Sequence, residues 1–540
     1  RDWLEGRATL ILRAVRDLSS LSIRLADELT VESVSAESLG RLFPIRTPGQ
    51  NTMILHLPET IAAGDEVTLT IDYNGELPAE AVDHQTIVPR NLSLLESSRF
   101  VHPTIRSGPQ PHYLYSSRSF WYPQSLVTDF APATLRITVP PDFECVASGH
   151  RSGAPRELYG EESEGMPNGS KEYVFKAEQP IRYLAALLSG FVQVASAEVQ
   201  LPMSAGASAQ HRIALSVEAN PRQRRPARSL SERAKAILSF YTSLIGDVPY
   251  ESLTVAMVES ELPGGHSPAH ISMINEPRQA SNLLWRRDPV FFADAPDFFL
   301  AHELAHQWWG QAVGWNNYHE QWLSEGFAQY FAALHARHAK GDDVFRGIMR
   351  QMRDWAMQQS DQGPVYLGYR LGHIQGDRRI FRALVYNKGA MVLHMLHRLL
   401  GDEAFFRGVR RFYTDRRYQK AGTEDLRLAF EQVSSVPLTR FFDRYIHSTG
   451  LPELGFTYRL ETAPEEESAS VVKLRFEQRT DELYDVPVTV TLHYTTGDSQ
   501  NVVVSVTERV TEVRVPLAGP LSRVDVNRDF EALARIVDQN

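Results

Sequence analysis

The stretch His302-Glu303-Leu304-Ala305-His306 sets two imidazoles four residues apart, with a carboxylate beside the first. On an α-helix, positions i and i+4 share a face about one turn apart, so His302 and His306 can hold one metal ion together. Imidazole nitrogen suits Zn²⁺, and a catalytic zinc takes three protein ligands while one position stays open. The stretch Trp322-Leu323-Ser324-Glu325-Gly326 offers Glu325 as the natural third ligand, with eighteen residues between it and His306. Glu303 can face a water in the open position and act as general base. The spacing therefore predicts one Zn²⁺ per chain.

Surface helices also carry His and Glu, so the surroundings decide. Phe298, Phe299, Leu304, Trp308 and Trp309 make this segment largely apolar, which reads as a buried helix. Polar groups buried there need a partner, and a metal ion is one. The histidines at 335, 338, 394 and 397 sit at helical spacings without such a frame and read as surface or core residues.

The elements that must position these groups follow from the whole chain. Its 540 residues are enough for three or four domains. A hydrophobic content of 43% with 23% charged residues is that of an ordinary soluble globular protein. A net charge of −10 argues against a dedicated nucleic-acid binder. Cys145 is the only cysteine, which excludes an internal disulfide and a cysteine-based zinc site. No stretch has the run of apolar residues of a transmembrane segment. The opening Arg1-Asp2-Trp3-Leu4-Glu5 has neither an initiator Met nor an apolar leader core. The expectation is a processed, extracytoplasmic protein (periplasmic or secreted), with the cytoplasm as the alternative.

Residues 1–197 show period-two alternation in several runs, including Leu21, Ile23 and Leu25, and Val67, Leu69, Ile71 and Tyr73 ahead of a turn pair, Asn74-Gly75. An N-terminal antiparallel β saddle or sandwich is expected, with Ser152–Lys171 as an exposed loop. Residues 198–452 change to helical periodicity after a small sheet. A basic loop at 221–226 leads to a helix with Ser229 and Glu232 spaced as a capping box and Gly246 as its stop. The motif helix is expected to open at Asp294-Ala295-Pro296. Residues 453–540 return to period two, as in Val486, Val488, Val490 and Leu492, and predict a small C-terminal β-sandwich. The fold class expected is multidomain α+β.

The frames His-Glu-Leu-Ala-His-Gln-Trp and Trp-Leu-Ser-Glu-Gly-Phe-Ala resemble those of the gluzincin aminopeptidases, the family of alanyl aminopeptidase and leukotriene-A4 hydrolase. Val385-Tyr386-Asn387-Lys388-Gly389-Ala390 is similar to that family's Val-Tyr-Glu-Lys-Gly-Ala, and Gly450-Leu451-Pro452 to its Gly-x-Pro. The resemblance covers a β saddle, a thermolysin-like catalytic domain and a small β-sandwich. It implies a zinc metallopeptidase acting on peptides, with zinc on His302, His306 and Glu325, Glu303 as base, and Tyr386 donating its hydroxyl to the oxyanion. Glu320 stands where the family has an Asp five residues before the third ligand. It is expected either to hold a ligand histidine or to face solvent. The family's amine-binding strand, Gly-Ala-Met-Glu-Asn, corresponds to Gly264-Gly265-His266-Ser267-Pro268, with Ser267 in place of the Glu that pairs with a free α-amine. Serine cannot neutralise an ammonium, and Glu259 or Glu261 would have to supply the charge. His266 and His270 are expected near the substrate cleft or as polar loop residues. Two alternatives stay open: a catalytically silent peptide- or partner-binding relative, and a hydrolase of a non-peptide substrate.

Overall fold

A computed structural model describes residues 3–80, 109–125, 129–163, 165–200, 212–260, 264–277, 292–375, 378–462 and 470–539. Mixed sheets open and close the chain, and helices fill most of the stretch between. The alternation in the first residues becomes a four-stranded antiparallel sheet, in the order Trp3–Arg13, Glu66–Glu76, Leu29–Ala36, Gly40–Leu42. Leu69, Ile71 and Tyr73 face inward into an apolar core shared with Leu25, Met53, Leu55 and Trp121.

Asn74-Gly75 is not a turn, contrary to its sequence signature. Strand Glu66–Glu76 runs through both residues. A Cβ at Gly75 would lie 2.3 Å from the Glu28 backbone oxygen, so the glycine serves a close backbone approach. The segment 152–171 is also more ordered than expected. It carries a short strand, Arg156–Leu158, and a 3₁₀ turn, Gly160–Ser163, before strand Ser170–Ile181 begins.

The sheet next to the site has five strands in the order Val192–Gln200, Arg212–Ala219, Ser252–Ser260, Ile271–Pro277, Gly264–His266. The middle three run parallel, and both edge strands are antiparallel to their neighbours. Helix Leu230–Ile245 buries the expected stripe of Leu230, Ala234, Ile237 and Tyr241, and Gly246 stops it in the left-handed conformation. The Ser229 capping box does not form. Ser229 is itself helical and donates to the Pro226 carbonyl, because a short helix, Arg224–Ala227, already occupies the basic segment.

The motif helix runs Phe298–Ala305 with Asp297 at its N-cap, three residues later than expected. Helix Trp322–Lys340 packs alongside it, and the rings of Phe327 and Phe331 meet Trp309, just past the motif helix, at 4.3 and 5.4 Å. The last residues form a four-stranded and a three-stranded sheet, with Val486–Tyr494 buried almost throughout. Their apolar residues join one continuous core with the helices. Arg353 strengthens that junction by donating to the carbonyls of Ala532 and Ala534, at 3.0 Å each. No helix among the described residues is long and apolar enough to cross a membrane.

Candidate active site

The helix period brings His302 and His306 together as expected. Their Nε2 atoms are 3.2 Å apart, with the rings nearly perpendicular. Helix Trp322–Lys340 delivers Glu325 from its first turn, and its Oε2 lies 3.4 Å from each Nε2. His302 is fully buried and Glu325 nearly so. All three ligand atoms fall within 4.8 Å of one another.

Hydrogen positions follow from the partners. His306 Nδ1 lies 3.1 Å from the Trp309 carbonyl, which can only accept, so its proton sits on Nδ1. Its Nε2 then faces the cluster and the Glu325 carboxylate. Ser324 Oγ, 3.1 Å from the same Nδ1, donates to that carbonyl at 3.0 Å and braces the ring. Glu325 Oε2 is buried and has no hydrogen-bond partner among the described residues. Two imidazole nitrogens and a carboxylate oxygen converging at these distances are the donor set of a tetrahedral N, N, O metal site.

Electrostatics agree with that reading. Burial lowers His302 to about 4, keeping it neutral as a ligand must be. Burial also opposes charge on His306, yet the Glu325 charge outweighs it and lifts His306 to about 9. Glu325 is held below the usual carboxylate range; its burial acts the other way, but the His306 charge prevails. The cluster thus has a strong appetite for positive charge.

Glu303 lies on the same helix, 1% exposed, and burial raises its carboxyl to about 7 despite the opposing influence of His306 and Ser267. Ser267 Oγ donates to its Oε2 at 2.6 Å. Its Oε1 is buried with no hydrogen-bond partner among the described residues.

Tyr386 sits in a π-helical turn, Arg382–Lys388, a local insertion common at functional sites. Its ring stacks on His302 at 5.7 Å and 7°, and the Arg382 guanidinium lies 4.6 Å above the other part of the site's wall, over the Tyr386 ring. Burial first, then the Glu325 charge, raises the phenol well above its ordinary value, so it stays a protonated donor. Asn387 accepts from Gln329 Nε2 at 3.0 Å. Lys388 is buried with no partner for its Nζ among the described residues, and burial lowers it to about 8.

Glu320 does not hold a ligand histidine and does not face solvent. Its Oε2 accepts from Thr423 N at 3.0 Å and Thr423 Oγ1 at 2.6 Å, at the start of helix Thr423–Ser434. Glu259 is fully buried; it accepts from Gln110 N at 2.9 Å and lies 3.8 Å from Arg222 Nε. Glu261 lies outside the described residues. His270 turns back to Ser252 and Tyr250, away from the ligand cluster, and burial lowers it to about 4.

Four functional side chains were missed in the sequence: Gln307, Gln311, Ser272 and Ser324. Gln307 Nε2 donates to the carbonyls of Pro268 and Ile271, at 3.1 and 3.0 Å, and its Oε1 accepts from His270 N at 3.0 Å. Gln311 Nε2 donates to Ser267 O at 2.8 Å and to the Tyr183 hydroxyl at 3.0 Å. These bonds bolt the 267–271 loop to the end of the motif helix. Two amides in an otherwise apolar segment were the available signal, since buried amides are there to be bonded. Arg182 adds a tie from the first sheets, stacking on Trp315 at 3.9 Å and donating to Gly310 O at 2.7 Å.

The cluster joins a short helix with two histidines, a second helix with a glutamate, and the buried carboxyl of Glu303 on the first helix. Residues 297–445 match the Peptidase family M1 domain, and the resemblance to the gluzincin aminopeptidases holds. Similar proteins include the aminopeptidase N of Lactococcus lactis subsp. lactis, 30% identical over 157 residues, which is 28% of this chain and 18% of that protein. The tricorn protease-interacting factor F2 of Thermoplasma acidophilum is 31% identical over 225 residues, 41% of this chain and 28% of its own length. The glutamyl aminopeptidase of Bos taurus is 29% identical over 159 residues, 29% of this chain and 16% of its own. This chain therefore covers less than a third of each of these relatives.

Proposed function

We propose that the chain is a zinc-dependent metallopeptidase that hydrolyses peptide bonds with Glu303 as general base. The observation that carries this reading is the convergence of His302 Nε2, His306 Nε2 and the buried Glu325 Oε2, with the buried Glu303 on the same helix. His302, His306 and Glu325 would hold the ion, and the chemistry supplied there is Lewis acidity, which polarises a carbonyl and acidifies a water. The thermolysin-like unit is read as residues 198–452, between a β saddle at 1–197 and a small β-sandwich at 453–540.

The chain's own residues do the rest. Glu303 takes the water's proton and passes it to the leaving amine. The Tyr386 phenol, kept neutral by burial, donates to the carbonyl oxygen as negative charge develops on it. The indole and phenyl rings behind the two helices keep bulk water away from the ligands and strengthen each of these interactions.

Recognition of a free α-amine is the property in which this chain departs from the aminopeptidase pattern. Ser267 carries no charge, and Glu259 is committed to Gln110 and Arg222. Extended and N-blocked peptides should therefore be cleaved at rates comparable with free ones, and single aminoacyl amides poorly. The test is to incubate the zinc-loaded protein with matched free and N-acetylated peptides and identify the fragments by mass. Glu303→Gln and Tyr386→Phe should both keep zinc. The first should lose a general base worth about 10²–10⁴-fold, and the second about 2.7–4 kcal/mol of oxyanion stabilisation. Wild-type turnover in both variants would overturn the assignment.

A further inference from the structure

We propose that Ser267 is a positioning residue for Glu303, holding one carboxylate oxygen so that the other is left for the attacking water. The inference rests on Glu303 being the base. Both partners are buried, Ser267 at 6% and Glu303 at 1% exposure, and the Oγ–Oε2 distance is 2.6 Å. That bond occupies Oε2 and leaves Oε1 as the oxygen without a partner among the described residues. In the ionised form that acts as base the carboxylate only accepts, so Ser267 is the donor. Ser272 Oγ, 3.2 Å from Ser267 Oγ, can donate in turn and keep the Ser267 proton turned toward Glu303.

The support is built rather than incidental. Gln307 and Gln311, from the end of the motif helix, hold the backbone of the loop that carries Ser267. Serine and base are thus fixed to one another through the helix that bears the base. The strand also passes unusually close. A Cβ at Gly265 would lie 2.4 Å from Glu303 Oε1 and 2.9 Å from Oε2, so a side chain there would push the carboxylate out of this position. Against Gly-Ala-Met-Glu-Asn, this strand replaces Ala by Gly265 and Glu by Ser267, and both replacements face the same carboxylate. They form one cradle: the missing methyl makes the space, and the hydroxyl fills the bond. When the water's proton passes to Oε1, Ser267 neither gains nor loses a proton, so its part is orientation alone.

The test compares Ser267→Ala, Ser267→Thr and Glu303→Gln in the zinc-loaded full chain, with an internally quenched, N-acetylated peptide pool as substrate. Ser267→Ala should lower kcat roughly ten- to hundredfold, the factor a hydrogen bond to a charged group carries, with KM and zinc content unchanged. Ser267→Thr keeps the hydroxyl and should restore most of the loss. A crystal structure of Ser267→Ala should show the Glu303 carboxylate displaced from the strand. An unchanged kcat in Ser267→Ala, an equal fall in Ser267→Thr, or a change confined to KM would overturn the inference while leaving the base assignment standing. Wild-type turnover in Glu303→Gln would overturn both.

Discussion

Helix Trp322–Lys340 serves two buried histidine pairs, and they are held in opposite ways. Near its start, Glu325 meets His302 and His306, whose Nε2 atoms lie 3.2 Å from each other and 3.4 Å from its carboxylate. One turn and a half further on, Tyr330 meets His394 and His397. Its hydroxyl lies 3.2 Å from His394 Nδ1 and 2.7 Å from His397 Nδ1. His397 Nε2 reaches the Asp402 carboxylate at 2.8 Å, so its proton is on Nε2 and its Nδ1 accepts from the phenol. The phenol oxygen in turn accepts from His394 Nδ1–H. Every contact in the second pair has one proton and one lone pair. In the first pair both Nε2 atoms turn to the same carboxylate, whose charge lifts His306 to about 9. Spacing alone does not separate the two, since both sit one turn apart on a helix; the third group does. A carboxylate leaves a demand for positive charge, whereas a hydroxyl satisfies both rings by itself.

The sharpest way to break this contrast is to remove one histidine from each pair. His302→Ala, His306→Ala or Glu325→Ala should abolish stoichiometric zinc in protein purified without chelators. His394→Ala and His397→Ala should retain it and lose stability instead. Metal analysis by mass spectrometry reads both, and full zinc in all three variants of the first group would refute the ligand assignment. Ser324→Ala, which frees the brace on His306, should weaken zinc affinity by roughly 10–100-fold.

Ser267→Glu comes next in size. From the family pattern alone, a glutamate here should restore preference for a free amine. The position of Ser267 argues for a different outcome. Ser267 is buried with its hydroxyl on Glu303, so a carboxylate at 267 would face the base at hydrogen-bond distance. Two carboxylates so close share a proton, and the base is disabled over part of its range. Turnover on both free and acetylated peptides should fall by about tenfold or more, without a gain in free-amine preference. A rise in that preference with turnover intact would mean that the strand shifts to make room.

The second pair also predicts acid sensitivity. Burial lowers His397 to about 4 against the Asp402 charge, and lowers His394 well below its ordinary value. Both are neutral when folded and titrate near 6.5 when unfolded. The unfolded chain therefore binds more protons between those values, and stability rises with pH across that window. Their contribution is complete above about pH 6.5 and falls as the pH drops toward 4. For His397 the shift corresponds to on the order of 3 kcal/mol. Urea titrations at pH 7 and pH 5 should show a smaller difference for His397→Gln than for the native chain. An equal difference would place the acid-labile groups elsewhere.

How much of this was legible depended on whether the signal was periodic or directional. The 3.6 period set His302 against His306, and period two marked the inward residues of the strands, because burial repeats with the backbone. The position of Tyr386 came from a frame, Tyr-x-Lys-Gly, and the structure adds the π-helical turn that sets its ring on His302. What could not be read was where a single polar side chain turns. Ser267 was recognised as replacing a glutamate, but its bond to Glu303 depends on how the edge strand crosses the motif helix. Asn74-Gly75 carries a strong local turn signal and loses to sheet pairing, since Gly75 is needed where the Glu28 backbone comes close. The Ser229 cap failed for a similar reason, with helical residues already preceding it.

The smallest effect concerns where the metal environment ends. Glu320 lies five residues before Glu325 and, by family position, would be expected to orient a ligand. Its carboxylate instead takes the Thr423 backbone N–H and hydroxyl, and Thr423 Oγ1 accepts from Trp322 Nε1 at 2.9 Å. Glu320 thus caps helix Thr423–Ser434 from outside that helix and ties it to the first turn of the helix bearing Glu325. Removing it should cost what losing a cap costs, about 0.5–2 kcal/mol, with the higher end favoured because the freed N–H is buried. Glu320→Gln keeps an accepting oxygen and should cost less than Glu320→Ala. Neither substitution reaches His302 or His306, so zinc content should be unchanged in both. Thermal unfolding and metal analysis on the same samples separate the roles. A variant that loses zinc in proportion to its stability loss would show that Trp322, and not a ligand bond, transmits the damage to Glu325. A variant that loses zinc while keeping its stability would mean that Glu320 belongs to the metal site after all.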